Sequence, residues 1–66
     1  TVPEFREMIL KHARAQIELK GEFIGIREMR KHVAWYTAGM PHSAGLRRES
    51  NNISSYEELV QLLERI

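Results

Sequence analysis

Cysteine is missing from this chain altogether, which removes disulfide staples, thiolate metal sites and cysteine nucleophiles together. It also argues against a small secreted scaffold, because such scaffolds lean on disulfides. Aspartate is missing too, so all nine acidic residues are glutamate, a side chain that tolerates helix interiors better than aspartate does. No apolar run approaches the roughly 18–20 residues that cross a bilayer, and no basic–apolar–small pattern marks a signal peptide. The expected setting is therefore cytoplasmic, with no membrane partner. Asn52-Ile53-Ser54 fits the glycosylation tripeptide, but without a secretory signal it reads as chance. The 66 residues fit one domain, with a thin core.

What is present is helical. Four segments cover nearly everything, and no alternating strand pattern appears. The first is expected from Pro3 to Leu19, with proline in the opening turn and Gly21 as the stop. Phe5, Met8, Ile9, His12, Gln16 and Leu19 fall on one side of it, widened by Leu10, Ala13 and Ile17. The second starts at Phe23 or Ile24 and ends near Thr37, with Gly39 as a left-handed cap. Ile26, Met29, Val33 and Tyr36 make its apolar stripe, and Gly25 weakens its first turn. Met40-Pro41-His42 is a connector, since proline disfavours helix in the residue before it. The third, Ser43 or Ala44 to Asn51, is short, with Leu46 as its only large apolar anchor. The fourth spans Ser55 to Ile66. Ser55-Tyr56-Glu57-Glu58 matches a capping box, and Leu59, Val60, Leu62, Leu63 and Ile66 form an apolar face. The expected fold is all-α: a four-helix bundle with short loops, one domain over residues 1–66.

Catalytic chemistry is hard to find. Glu57 and Glu58 adjoin but point different ways, and both suit the dipole of a first helical turn. None of the three histidines is spaced three or four residues from another, so no metal site is expected. No glycine-rich phosphate loop is present, and no catalytic or cofactor-binding residue is assigned.

Charge is distributed more tellingly than its total of +1. Between Arg27 and Arg48 stand Arg27, Arg30, Lys31, Arg47 and Arg48 against Glu28, with His32 and His42 in the same stretch. Arg27, Lys31 and Trp35 lie four apart on one face of the second helix. Such a stripe can stack a base on the indole while the cations hold phosphates. A sole tryptophan in a middle helix more often packs inside, and Trp35 and Tyr36 are assigned first to packing. Arg47 and Arg48 fit either a phosphate grip or the solvated face of a weak helix.

The order Arg27-Glu28-Met29-Arg30-Lys31-His32-Val33-Ala34-Trp35-Tyr36, then Gly39-Met40-Pro41, Leu46-Arg47-Arg48, Asn51 and Ser55-x-Glu57-Glu58-Leu59, resembles the C-terminal helical domain of bacterial tRNA-dihydrouridine synthases of the B type. The match is dense over the second half and general in character over the first helix. Ser50 stands where the family usually has isoleucine, and His42, Ser43 and Gly45 replace small and acidic residues. The resemblance implies a piece of a larger flavoenzyme. An N-terminal barrel would carry FMN and a proton-donating cysteine, and would reduce the 5,6 double bond of tRNA uridines with electrons from NADPH. The helical domain would hold the tRNA. Target uridines must be turned out of the folded RNA, so a domain gripping the backbone sets which one arrives. Carried over by position, the RNA-facing residues implied are Arg27, Arg30, Lys31, His32, Arg47 and Arg48, with Arg30 also able to brace the bundle. Tyr36 and Trp35 match the motif as well. From the residues alone, a protein-docking module and a DNA-binding domain stay open. Exposed, contiguous cations would favour RNA, and an exposed apolar patch would favour docking. The short third helix offers few residues able to read base edges.

Overall fold

The computed structural model describes residues 2–41 and 43–65. His42 of the connector, and Ile66 of the expected fourth-helix face, lie outside the described residues. Four helices follow one another: α1 (Val2–Lys20), α2 (Glu22–Thr37), α3 (Ser43–Ser50) and α4 (Tyr56–Leu63). The boundaries differ from the sequence expectation by a few residues at most. The fourth helix stops at Leu63, and its last turn tightens, with Arg65 N–H donating to Leu62 O at 3.2 Å.

A single residue joins α1 to α2. Gly21 adopts φ 86°, ψ 160°, a region open essentially to glycine alone. Its N–H donates to Ile17 O at 2.7 Å, and its carbonyl accepts from Gly25 N–H at 2.8 Å. One helix therefore ends and the next begins with their backbone groups satisfied through the same residue. Gly39 behaves otherwise than expected. Among the glycines only Gly21 has a positive φ. The second helix instead ends through right-handed Ala38, with Ala38 N–H to Trp35 O at 3.3 Å and Met40 N–H to Thr37 O at 3.0 Å. Bonds of this shorter reach close a helix without a left-handed residue.

The antiparallel α1–α2 pair carries the most extensive packing in the molecule, and Gly25 explains how closely the pair approaches. A Cβ built there would lie 2.9 Å from Ile17 N and 3.0 Å from Gln16 C and O. Glycine is thus needed in α2 for backbone approach, at the expense of the weaker first turn foreseen from the sequence.

The core gathers Ile9 and Ala13 of α1, Ile26, Met29 and Val33 of α2, Leu46 of α3, Ile53 of the last connection, and Leu59, Leu62 and Leu63 of α4. Phe5, Leu10, Ile17, Tyr36 and Tyr56 pack around it. Two expected members of the α1 stripe are outside: Met8 is 47% exposed and Leu19 77%. The stripe is wide enough for either flank to face inward, and α2 covers the Ile9–Ala13 side. Ser50, at a position where an apolar residue would be the expected anchor, is fully buried with Thr37. Each hydroxyl is satisfied within its own helix, Ser50 Oγ by Arg47 O and Thr37 Oγ1 by Val33 O, both at 2.8 Å.

The capping box forms with one change. Glu58 N–H donates to Ser55 Oγ at 3.2 Å, and the return carboxylate takes the N–H of Ser54 at 3.0 Å, with the Ser55 N–H also acting on it. It also accepts from the Ser54 and Ser55 hydroxyls at 2.8 and 3.2 Å. These donors hold the Glu58 carboxyl below its ordinary pKa, the Ser54 hydroxyl contributing most. Helix α4 is tied to the pair at its start, by Tyr56 N–H to Glu22 Oε2 at 3.0 Å and by Arg14 Nη1 to the Tyr56 hydroxyl at 2.9 Å.

Candidate nucleic-acid interface

A helix returns to the same side every three to four residues, so α2 buries Ile26, Met29 and Val33 and turns Ile24, Arg27, Glu28, Lys31 and Trp35 outward. Arg27 and Lys31 are exposed, and the Lys31 ammonium stands 5.0 Å from the centroid of the Trp35 ring. That is a cation–π pair between successive turns. Trp35 is 65% exposed, which corrects its assignment to packing. The buried stripe of α2 is already filled by aliphatic residues and Met29, so the indole is left on the cationic side. Tyr36, next in sequence, packs edge-on to Phe5 at 6.2 Å as expected.

Between this side of α2 and the end of α1 lies an open depression of about 680 Å³, lined by Gln16, Lys20, Ile24, Arg27, Glu28, Lys31 and His32. His32 enters it from below, stacked obliquely on His12 of α1 with ring centroids 4.7 Å apart, and set edge-on to Trp35 at 5.7 Å. On its far side His12 lies 3.3 Å from the Tyr36 hydroxyl through Nδ1 and 3.3 Å from Gln16 Nε2 through Nε2. The Tyr36 hydroxyl can donate or accept, so His12 engages it in either tautomer while its other ring nitrogen meets the Gln16 amide. Among the described residues Gln16 Oε1 finds no hydrogen-bond partner as drawn, and turning the amide over would bring it to His12.

Burial holds the His32 pKa below the ordinary histidine value, with His12, Lys31 and Lys20 acting in the same direction and Glu28 against them. A base with a lowered folded pKa binds fewer protons folded than unfolded, so stability falls as the medium is acidified past the unfolded value. The melting temperature is therefore expected to drop between pH 7.5 and pH 5. A His32→Gln variant should lose less over that window, and equal losses in the two proteins would count against this origin. The carboxyls of Glu49 and Glu58, both held low, act in a separate window at still lower pH.

The other basic residues divide clearly. Arg14 is paired with Glu7 at 2.5 Å, Lys20 with Glu28 at 2.8 Å, and Arg65 with Glu49. Lys11, Arg27, Lys31, Arg47 and Arg48 make no salt bridge among the described residues and are exposed. Arg47 and Arg48 stand on α3 and do not line the depression, so the six residues taken from sequence form two groups rather than one patch. Their place in the last turn of α3 also suits the helix dipole. Arg30 is half-buried and donates through Nε to Ile53 O at 2.7 Å. It braces the α3–α4 connection, which leaves its two terminal nitrogens for any ligand. Reading along the sequence missed Gln16 and Lys20 as walls of the depression and His12 as the neighbour of His32. The spacing within one helix carries no signal for such meetings across two. Among the described residues no three His, Asp or Glu side chains gather as metal ligands. Among the described residues no helix is long and apolar enough to cross a membrane.

Comparison with known proteins gives the family. The family model described as dihydrouridine synthase (Dus) matches residues 1–66. A Mycobacterium tuberculosis protein named "Probable tRNA-dihydrouridine synthase" is 36% identical over 66 residues, covering all of this chain and 17% of that protein. The "tRNA-dihydrouridine synthase B" of Vibrio cholerae is 32% identical over 63 residues, 96% of this chain and 20% of its own length. A Rickettsia typhi protein, again named "Probable tRNA-dihydrouridine synthase", is 38% identical over 47 residues, 71% of this chain and 14% of its own. The chain thus spans a fifth or less of these relatives. No solved structure matches it significantly.

Proposed function

The chain belongs to the dihydrouridine synthase family, and on that premise we propose that it is the helical, tRNA-gripping C-terminal domain of a tRNA-dihydrouridine synthase. Its partner within the same protein is an N-terminal catalytic barrel, and its ligand is tRNA. The observation that carries the reading is the set of exposed cations with no salt bridge among the described residues, of which Arg27 and Lys31 stand on α2, Arg47 and Arg48 on α3, and Lys11 on α1. Cations left unpaired at the surface gain most by meeting phosphates, because each phosphate neutralised releases condensed counterions.

The activity that accompanies this reading is reduction of uridine to 5,6-dihydrouridine in tRNA, with FMN and NADPH. The residues of this chain do not fit a flavin. Flavin-sized ligands take enclosing, largely apolar walls with a few placed polar groups. The α1–α2 depression is open and lined mainly by charged side chains. The groove at Met40, Pro41 and Leu46 is apolar, but its one cation, Arg65, is already paired with Glu49. Both cofactors are therefore assigned to the barrel, and this domain's share is to fix the register of the RNA backbone.

Exposed Leu19, Phe23 and Ile24, flanking the Gly21 joint, favour a second reading: a docking module with no nucleic-acid partner. Titration of the full-length protein with unmodified tRNA at several salt concentrations separates the two. Arg47→Ala with Arg48→Ala is expected to weaken binding and to flatten the slope of log K against log salt, by about 0.7–0.9 for each phosphate no longer neutralised. Melting should stay unchanged, since both side chains are exposed. A wild-type protein indifferent to tRNA at low salt would favour docking. An unaltered salt slope in the variant would show that these two arginines do not touch the RNA.

A further inference from the structure

Trp35 is the chain's sole tryptophan, and leaving 65% of it exposed forgoes burial that a thin core could use. Its surroundings are not those of an apolar patch. Lys31 sits over the ring at 5.0 Å, and Arg27 follows one turn back, roughly 6 Å along the axis. Neither cation has a salt bridge among the described residues. Both line the open depression that His32 floors, and His32 sets its ring edge-on to the indole, which limits how the indole can turn.

A site for phosphate alone has no use for an exposed indole, and a site for an apolar side chain is ill served by two unpaired cations. The two together suit a ligand with a flat π face and an anion one short linkage away, which is a nucleotide. A paired base inside a duplex is stacked on its neighbours and offers no face, so the nucleotide must be unpaired. Building on the tRNA reading above, we propose that Trp35, Lys31 and Arg27 form a subsite for one unpaired nucleotide of the bound RNA. The base lies against the open part of the indole, and the adjoining phosphates meet Lys31 and Arg27. Arg47 and Arg48, on another helix, hold backbone elsewhere.

The test uses the full-length protein with two RNAs, an unmodified tRNA and a perfect duplex of equal phosphate number. Trp35→Ala is expected to weaken tRNA binding roughly ten-fold while leaving duplex binding and the salt slope nearly unchanged. Trp35→Phe, which keeps a π face, should recover most of the loss. Lys31→Ala should lower the salt slope instead. The subsite is overturned if Trp35→Ala binds tRNA like the wild type, if it weakens tRNA and duplex equally, or if Trp35→Phe is no better than alanine. In each of those cases wild-type tRNA binding persists and the broader reading survives. Failure of the wild type to bind tRNA removes both.

Discussion

Alanine at Gly25 is expected to lower the melting temperature by about 10 °C, even though alanine is the better helix former. On propensity alone the change would add up to about 1 kcal/mol. Space decides the other way: the new Cβ would sit 2.9 Å from Ile17 N and 3.0 Å from Gln16 C and O. These are backbone atoms and cannot rotate aside, so the two helices must separate along their most extensive contact. Overpacking against a rigid neighbour costs about 1–3 kcal/mol, occasionally more, and a backbone neighbour belongs at the upper end. A net loss of about 2 kcal/mol corresponds to about 8–16 °C in a domain of this size. Gly45→Ala is the matched control. It lies in α3 with nothing within 4 Å of the added Cβ, so the melting temperature should rise slightly. Thermal melts followed by circular dichroism check both, and a rise for both would show that α1 and α2 do not approach this closely.

The other large effect is expected in α4. Leu59 is fully buried in the core to which all four helices contribute, and truncation to alanine strips away its packing and leaves a cavity, costing about 2–5 kcal/mol. Domains are stable by about 0.05–0.15 kcal/mol per residue, so a chain this short has little to spare. Leu59→Ala should move the urea midpoint sharply downward or leave the protein partly unfolded without denaturant. Leu19→Ala, removing as large a side chain from a position 77% exposed, should change stability by no more than about 0.5 kcal/mol. Similar midpoints for the two variants would mean that α4 does not seat its Leu59 side in the core.

These contrasts mark what sequence can and cannot carry. The fourth helix was legible because two kinds of signal coincide there, a capping box at Ser55 and a dense apolar face behind it. The α2 stripe of Ile26, Met29 and Val33 was legible for the same reason, a spacing that leaves one side apolar. In α1 the stripe is too wide to say which flank is covered, and Met8 and Leu19 fall on the outer side of that division. Gly25 reads as a weakness because propensity is a property of one helix, whereas its reason lies in the other. Gly39 reads as a left-handed cap because glycine permits that conformation, and permission is not requirement. The basic residues were identifiable as residues. Their division into an α2 group and an α3 group, and the meeting of His32 with His12 beneath Trp35, depend on how helices distant in sequence are laid together. The exposure of Trp35 runs against the usual fate of a lone tryptophan, and a departure of that kind is expected where a surface is shaped for a ligand rather than for stability.

The one-residue joint at Gly21 has a consequence for how this chain can vary in length. A glycine in a conformation that other residues resist, bonded on one side to Ile17 and on the other to Gly25, leaves no slack between α1 and α2. The phase of one helix against the other is therefore fixed, and with it the position of Arg27, Lys31 and His32 over His12 and Gln16. Insertions or deletions at that joint would turn the cationic row away from its floor. The connection from Ala38 to Pro41 does not set that phase, whereas the one from Asn51 to Ser54 is held in place by buried Ile53 and by Arg30 on its carbonyl.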